Sequence, residues 1–347
     1  MVQKVAVETI RELARLAKCS KTTVARALNA QSRISEVTRQ RILKLAESSG
    51  YRPDPNITSL MSRLRARKTH KQSVNIAWLR YGEAPAVPQT LPWFKNLWVG
   101  ALNRAEQLGF TLDQVIEKES TTTPERLKKI LLARGIVGLL DGPPRLEQCF
   151  EKFDCSPFAV ALLGEVDHAG PYPHSSAHYF YNMGLLFEEL RLRGYRRVGL
   201  LLGSYLHQIM GEAVVARFQY EQLKQGEEER IPWTPDIPNE GKGLSDWMKR
   251  WKPDVLICAD NRLIKALNAC GYRVPEDVGV LHLNLAEDVA GWSGIDQNHQ
   301  LIGAAGVDLL ADQIHRGELG KSLVPKEVFI PGFFVAGGTV RRREKKQ

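Results

Sequence analysis

The run CSKTTVARALN, residues 19–29, sets a lysine, a threonine and an arginine close together in a short segment. In a helix from about Lys21 to Leu28, Val24 and Leu28 turn toward a small core and Lys21, Thr22, Ala25 and Arg26 face outward. The chemistry open to those outward groups is hydrogen bonding to nucleic acid. Arg26 can donate two bonds to a guanine edge, and Lys21 and Thr22 can reach a base or a phosphate. A helix of this width fits the major groove with its N-terminal residues on the base edges, so it is assigned as a recognition helix. A polar face that is merely solvated is the competing reading. Covalent chemistry finds less support, because the chain has no GxSxG, P-loop, HExxH or GxGxxG sequence. His168, His174 and His178, with Asp167, fall in the run HAGPYPHSSAH and suggest a metal site. The proline, glycine and serine of that run read as a loop, however, and no metal or other cofactor is expected.

The elements that must position the recognition helix can be read from their caps. Ile10, Leu13, Ala14 and Ala17 make one stripe of a first helix, with Thr9 and Glu12 as its capping box. Ser20 is the N-cap of the second helix. Ser35 is the N-cap of a third, which turns Ile42, Leu45 and Ala46 inward and ends at Gly50. Three short helices with few residues between the first two make a helix-turn-helix. Charge supports the same reading. Residues 1–71 hold 16 Lys/Arg against 5 Asp/Glu, a net of +11, whereas the rest of the 347 residues hold 32 against 34, a net of −2. A polyanion-binding module joined to a near-neutral body fits that asymmetry.

The run TIRELARLAKCSKTTVARALN, followed by ISEVTRQRILKLAESSGYRPD, resembles the lactose-repressor (LacI/GalR) family of transcription regulators across the whole DNA-binding headpiece. The resemblance implies base-reading roles for Lys21, Thr22 and Arg26, and phosphate-positioning roles for Ser20, Asn29 and Thr38. Cys19 stands where a valine-type residue is usual and reads as a small hydrophobe. It also implies that NITSLMSRLRARKTHKQ holds a hinge helix that orders on the operator. Leu60 would then wedge into the minor groove, with Arg63, Arg65, Arg67 and Lys68 near the phosphates. A basic tether without that role is the alternative.

From Ser73 onward the apolar runs VNIAWL, FTLDQVI, GIVGLLD, FAVALLG, RVGLLL, DVLICA and DVGVLHLN alternate with amphipathic helical segments. This pattern predicts parallel sheets covered by helices on both faces. The pattern breaks near residues 158–184, which suggests two similar lobes. GYRRVGLLLG, DVLICADNRLIKALNACGYRVPEDVGVL and GIDQNHQLIGAAGVDLLADQI look like the second lobe of a periplasmic-binding-protein-like effector domain. The expected architecture is an all-α helix-turn-helix headpiece (1–52), a hinge and linker (53–71), a two-lobed α/β effector and dimerisation domain (72–340) and a basic tail (341–347).

In such folds a ligand lies between the lobes at the strand C-termini. Trp78, placed just after the first strand, is the expected aromatic platform, and Asp260 matches a family counterpart. The family's arginine and aspartate are replaced by Val214 and Asn284. A simple sugar specificity therefore does not carry over, and His282 or Arg217 are further candidates. The expected protein is a cytoplasmic, homodimeric, non-enzymatic regulator, with a repressor as the leading form. Its partners are a near-palindromic double-stranded operator and a small-molecule effector, with a carbohydrate as one option, and no membrane. Two alternatives stand: a regulator whose body has lost effector binding, and an α/β enzyme fused to a basic module. The five cysteines lack any CxxC pair, as in a reduced compartment, and no stretch is apolar enough to span a membrane.

Overall fold

The computed structural model describes residues 10–28, 34–49, 74–81, 92–117, 123–142, 153–164, 170–203, 206–207, 210, 212–233, 240–285 and 289–343. Thr9, Asn29, Gly50, Leu60, Arg63 and His168 lie outside them, as do the side chains of Thr22, Arg26 and Leu28.

The headpiece consists of α1 (Ile10–Leu16), α2 (Lys21–Leu28) and α3 (Glu36–Ser48). Leu13, Ala14, Ala17, Val24, Ala27, Ile42 and Ala46 form its core, flanked by Cys19, Ile34 and Leu45. The turn between α1 and α2 is tight because α1 ends in a Schellman motif. Lys18 is left-handed (φ 50°), Cys19 N donates to Ala14 O at 3.1 Å and Lys18 N to Arg15 O at 3.2 Å. Cys19 thereby takes the position whose small apolar side chain closes the motif. Arg41 of α3 donates to Ala17 O at 3.2 Å and ties the third helix to this turn.

The body holds two sheets. In the first, β1 (Val74–Tyr81), β2 (Phe110–Glu117), β3 (Ile136–Asp141), β4 (Ala159–Leu163), β5 (His174–Ala177) and β10 (Glu327–Ile330) run in the order β10-β5-β4-β3-β1-β2. All its pairings are parallel. In the second, β6 (Val198–Leu201), β7 (Val255–Cys258), β8 (Gly279–His282), β9 (Ser293–Asp296) and β11 (Phe333–Val335) run in the order β11-β9-β8-β7-β6, with only the β9–β11 pair antiparallel. The seven apolar runs all form strands. Strands β4, β6, β7 and β8 are buried along their whole length, as parallel strands covered on both faces are, whereas the edge strand β2 leaves Thr111 and Gln114 exposed.

Four helices set the geometry that follows: α4 (Pro92–Leu108), α6 (Tyr179–Leu192), α7 (Ala213–Leu223) and α10 (His299–Arg316), with α5 (Pro124–Ala133), α8 (Gly241–Trp251) and α9 (Leu263–Ala269) beside them. The chain passes between lobes three times: at His178 between β5 and α6, at 297–298 between β9 and α10, and at Pro331–Gly332 between β10 and β11.

Three expectations need correction. HAGPYPHSSAH is not all loop, since its HSSA is the fully buried strand β5. Ser175 Oγ donates to Ile302 O at 2.8 Å there, so a polar strand is satisfied by a partner 127 residues away. The helix in GIDQNHQLIGAAGVDLLADQI, α10, packs against α4, β3, β4 and β5 of the first lobe rather than within the second. Trp78 lies inside β1 rather than after it.

Candidate nucleic-acid interface and interlobe cleft

The recognition helix starts where its cap predicts. Ser20 Oγ accepts from Thr23 N at 3.0 Å and pairs with Thr23 Oγ1 at 2.8 Å. The same device opens α3, where Ser35 Oγ accepts from Thr38 N at 3.3 Å and pairs with Thr38 Oγ1 at 2.8 Å. Each Ser/Thr pair holds two hydroxyl protons and uses one internally, which leaves one to donate to a phosphate. No acidic residue sits in the first turn of α2, and Lys21 there is exposed. The positive end of the helix dipole and an ammonium therefore coincide, as anion binding requires. Val24, one turn further along, is fully buried in the headpiece core.

In the body, the cleft candidates lie on two sheets. Trp78 is fully buried, with Phe94 and Trp98 edge-on to it at 5.8 and 5.5 Å. Its ring is fully covered, and its Nε1 is buried without a hydrogen-bond partner among the described residues. The indole lies across the end of β3, where a Cβ on Gly142 would come within 2.5 Å of Trp78 Cζ2. What Trp78 has left to offer a ligand is its N–H. Asp260 and Asn284 sit just past the C-termini of the adjacent strands β7 and β8, so the fold brings them to one edge. Asp260 accepts from Arg262 N at 2.9 Å and ion-pairs with Arg262 at 2.8 Å. This carboxylate turns the chain into α9, which begins two residues later than Asn261. Asn284 N donates to His282 Nδ1 at 3.1 Å, while Asn284 Oδ1 is buried without a partner among the described residues.

Val214 is buried in the core. Arg217 is engaged on the α6–α7 face, ion-paired with Glu221 at 2.8 Å and stacked over Phe180 at 4.9 Å. Burial raises the Glu221 pKa, but bonds to Lys224 and Arg191 and the charge of Arg217 outweigh it and hold it low. One pair had no signal in the sequence. His207, just past β6, packs on Trp233 at 4.7 Å, and Trp233 Nε1 donates to Leu202 O at 3.1 Å. Among the described residues His207 Nδ1 is buried without a partner. Trp233 belongs to no regular element, so periodicity could not place it at this strand end.

Among the described residues no group of three or more His, Cys, Asp and Glu could hold a metal, and no helix is long and apolar enough to cross a membrane. Burial pushes the Cys258 and Cys155 thiols up to about 12, with a bond to Tyr172 opposing it at Cys155. Thiolate is the reactive form. Native protein at pH 7.5 is therefore expected to leave Cys155 and Cys258 unmodified by a thiol reagent, with both reacting after denaturation. Peptide mass spectrometry reads this directly, and rapid native labelling of either would contradict it.

The comparisons with known proteins divide along the same boundary. A sequence profile described as "Bacterial regulatory proteins, lacI family" matches residues 9–54, and one described as a periplasmic binding protein-like domain matches residues 187–340. Over 52 residues the chain is 50% identical to the probable HTH-type transcriptional repressor ExuR of Bacillus subtilis (strain 168), a match spanning 15% of this chain and 16% of that protein. In fold, the chain is similar to the transcriptional regulator CelR in its cellobiose complex, with a TM-score of 0.58 and 17% identity over 96% of this chain and 100% of that one. It is also similar to the lac repressor dimer bound to operator and the anti-inducer ONPF, with a TM-score of 0.55 and 20% identity over 96% and 99%. Headpiece motif, charge, caps and two-sheet body agree with these matches. Residues 9–54 thus match the model of the lacI family of bacterial regulatory proteins and residues 187–340 that of a periplasmic-binding-protein-like domain, in a chain with the two-sheet fold of the lac repressor.

Proposed function

We propose that the chain is a cytoplasmic repressor that binds a near-palindromic operator as a homodimer and responds to a small molecule held between its lobes. The observation that carries this reading is the Ser20-capped helix α2, with Lys21 exposed at its positive end, on a module with a net charge of +11. Lys21, Thr22 and Arg26 read bases, Ser20, Asn29 and Thr38 hold phosphates, and Leu60 wedges into the minor groove with Arg63 beside it. Two body domains pair so that two headpieces meet two half-sites. The solved relatives, one a dimer on operator and one carrying cellobiose, support this arrangement.

Arg26→Ala is expected to weaken operator binding by about 1–3 kcal/mol and to relax preference at one base pair per half-site. Binding to a set of single-base operator variants measures both. A uniform loss across all variants would make Arg26 a phosphate contact instead. Leu60→Ala is expected to weaken operator binding much more than binding to random duplex, because the wedge is realised only on a bendable site. Equal losses on the two duplexes, read by anisotropy, would remove that role.

The effector side rests on Trp78, Asp260 and Asn284, with His207 and Trp233 as additions. Val214 and Asn284 stand where the resemblance expects an arginine and an aspartate, and Asp260 is paired with Arg262. On the effector side the groups left without a partner among the described residues are the Trp78 indole N–H, the Asn284 amide oxygen and the His207 Nδ1, none of which carries a fixed charge. This supports an uncharged ligand, and equally supports the second reading, a body that has lost effector control. Operator affinity across a panel of neutral sugars and their acid counterparts separates the two: no change with any member favours the second. The basic tail is partly held, since Arg343 N donates to Arg193 O at 2.9 Å and its guanidinium pairs with Asp254 at 2.8 Å.

A further inference from the structure

The three interlobe crossings are joined by two asparagines. Asn298, which is left-handed (φ 58°), donates from Nδ2 to Pro331 O at 2.8 Å, linking the second crossing to the third. Asn182, on the first turn of α6 after the first crossing, accepts on Oδ1 from Gly332 N at 2.8 Å. His178 N completes the set by donating to Ile330 O at 2.9 Å.

Asn182 is only 2% exposed, and its Nδ2 is buried without an acceptor among the described residues. An idle amide donor in the interior is costly and persists where something else requires it. An acceptor lies close by. A Cβ on Gly332 would stand 2.5 Å from Asp296 O and 3.1 Å from Asn182 Nδ2. Ile295 Cγ2 would be 2.6 Å away, so the position has no room for a Cβ, and only glycine lets the carbonyl and the idle N–H come this near to one another. Asp296 ends β9 at the second crossing, so a bond between them would tie the first crossing directly to the second.

We propose that Asn182 is a conformational latch at the pivot: in a second lobe arrangement its Nδ2 donates to the Asp296 carbonyl while Oδ1 keeps the Gly332 N–H. The lobes then have two discrete arrangements that differ by one buried hydrogen bond, and a ligand or operator that favours either acts on a two-state element. Gly332 is the positioning residue whose missing side chain lets the bond form.

The test reads lobe arrangement in the full-length protein, with spin-labelled unnatural residues at the exposed positions Glu125 on α5 and Lys265 on α9. Pulsed dipolar distance measurements on otherwise wild-type protein are expected to give two distance populations. Asn182→Ala, which loses the donor, and Gly332→Ala, whose Cβ would push the Asp296 carbonyl away, are each expected to lose the same one. Asn182→Asp keeps an acceptor for Gly332 N–H but has no N–H to donate, so it is expected to lose that population too and guards against misfolding of the alanine variants. A single wild-type population, or two whose ratio is unchanged in the folded variants, would overturn the latch. The readout involves neither DNA nor effector, so a failure of operator binding would bear on the regulator reading alone.

Discussion

Leu13→Ala is expected to abolish operator binding while leaving the thermal transition of the body where it is. The headpiece core contains seven buried apolar residues, four of them alanine, so Leu13, Val24 and Ile42 supply most of its buried volume. Leu13 is fully buried, and a leucine-to-alanine change in such a site costs about 2–5 kcal/mol. A three-helix unit of about 40 residues has little more than that in total. The recognition helix would lose its support, and binding should fall about 100-fold or more, since each 1.4 kcal/mol is tenfold. Calorimetry and operator anisotropy on the same preparation measure the two halves. Retained binding would mean the headpiece draws stability from elsewhere, and a lowered body transition would mean the modules do not fold separately.

The largest expected effect in the body comes from Gly100→Ala. Helices α4 and α10 cross so closely that a Cβ at Gly100 would lie 1.9 Å from Gln300 O, and one at Gly303 would lie 2.1 Å from Leu97 O. Both obstacles are helix backbone, and α10 is itself packed on β3, β4 and β5. Neither can move aside without disturbing the first sheet. Overpacking of this kind costs about 1–3 kcal/mol where side chains give way, and more where backbone must. At about 2–4 °C per kcal/mol for a domain of this size, a loss of at least about 6 °C in Tm is expected by calorimetry. A change under about 2 °C would show that the two helices separate easily.

Much of the headpiece was legible because its determinants are local. Ser20 and Ser35 cap helices through bonds three residues away, and the stripe of Leu13, Ala14 and Ala17 needs only helical geometry. Most of the strands were legible because parallel strands covered on both faces are continuous apolar runs, and the edge strand β2 because Phe110, Leu112 and Val115 are still buried. Where the determinant was distant, the sequence was silent. His174, Ser175 and Ser176 of β5 look like loop residues and are buried because of partners such as the Ile302 carbonyl. The placement of α10 on the first lobe is a matter of chain crossings, to which its amphipathic pattern is indifferent. The covering of Trp78 by Phe94 and Trp98 comes from another element, so an aromatic near a strand end could not be distinguished from core. Val214 and Asn284 were visible departures, yet the groups that stand idle in their place depend on packing.

The most direct test of the central claim is selection of bound sequences from random duplex DNA by the purified protein, sequenced at two salt concentrations. A sequence-reading dimer should recover a near-palindrome with a central pyrimidine–purine step at both salts, because base contacts and deformability survive the loss of phosphate attraction. Recovery of no motif, with binding that vanishes at the higher salt, would contradict it and leave the headpiece as a non-specific basic module.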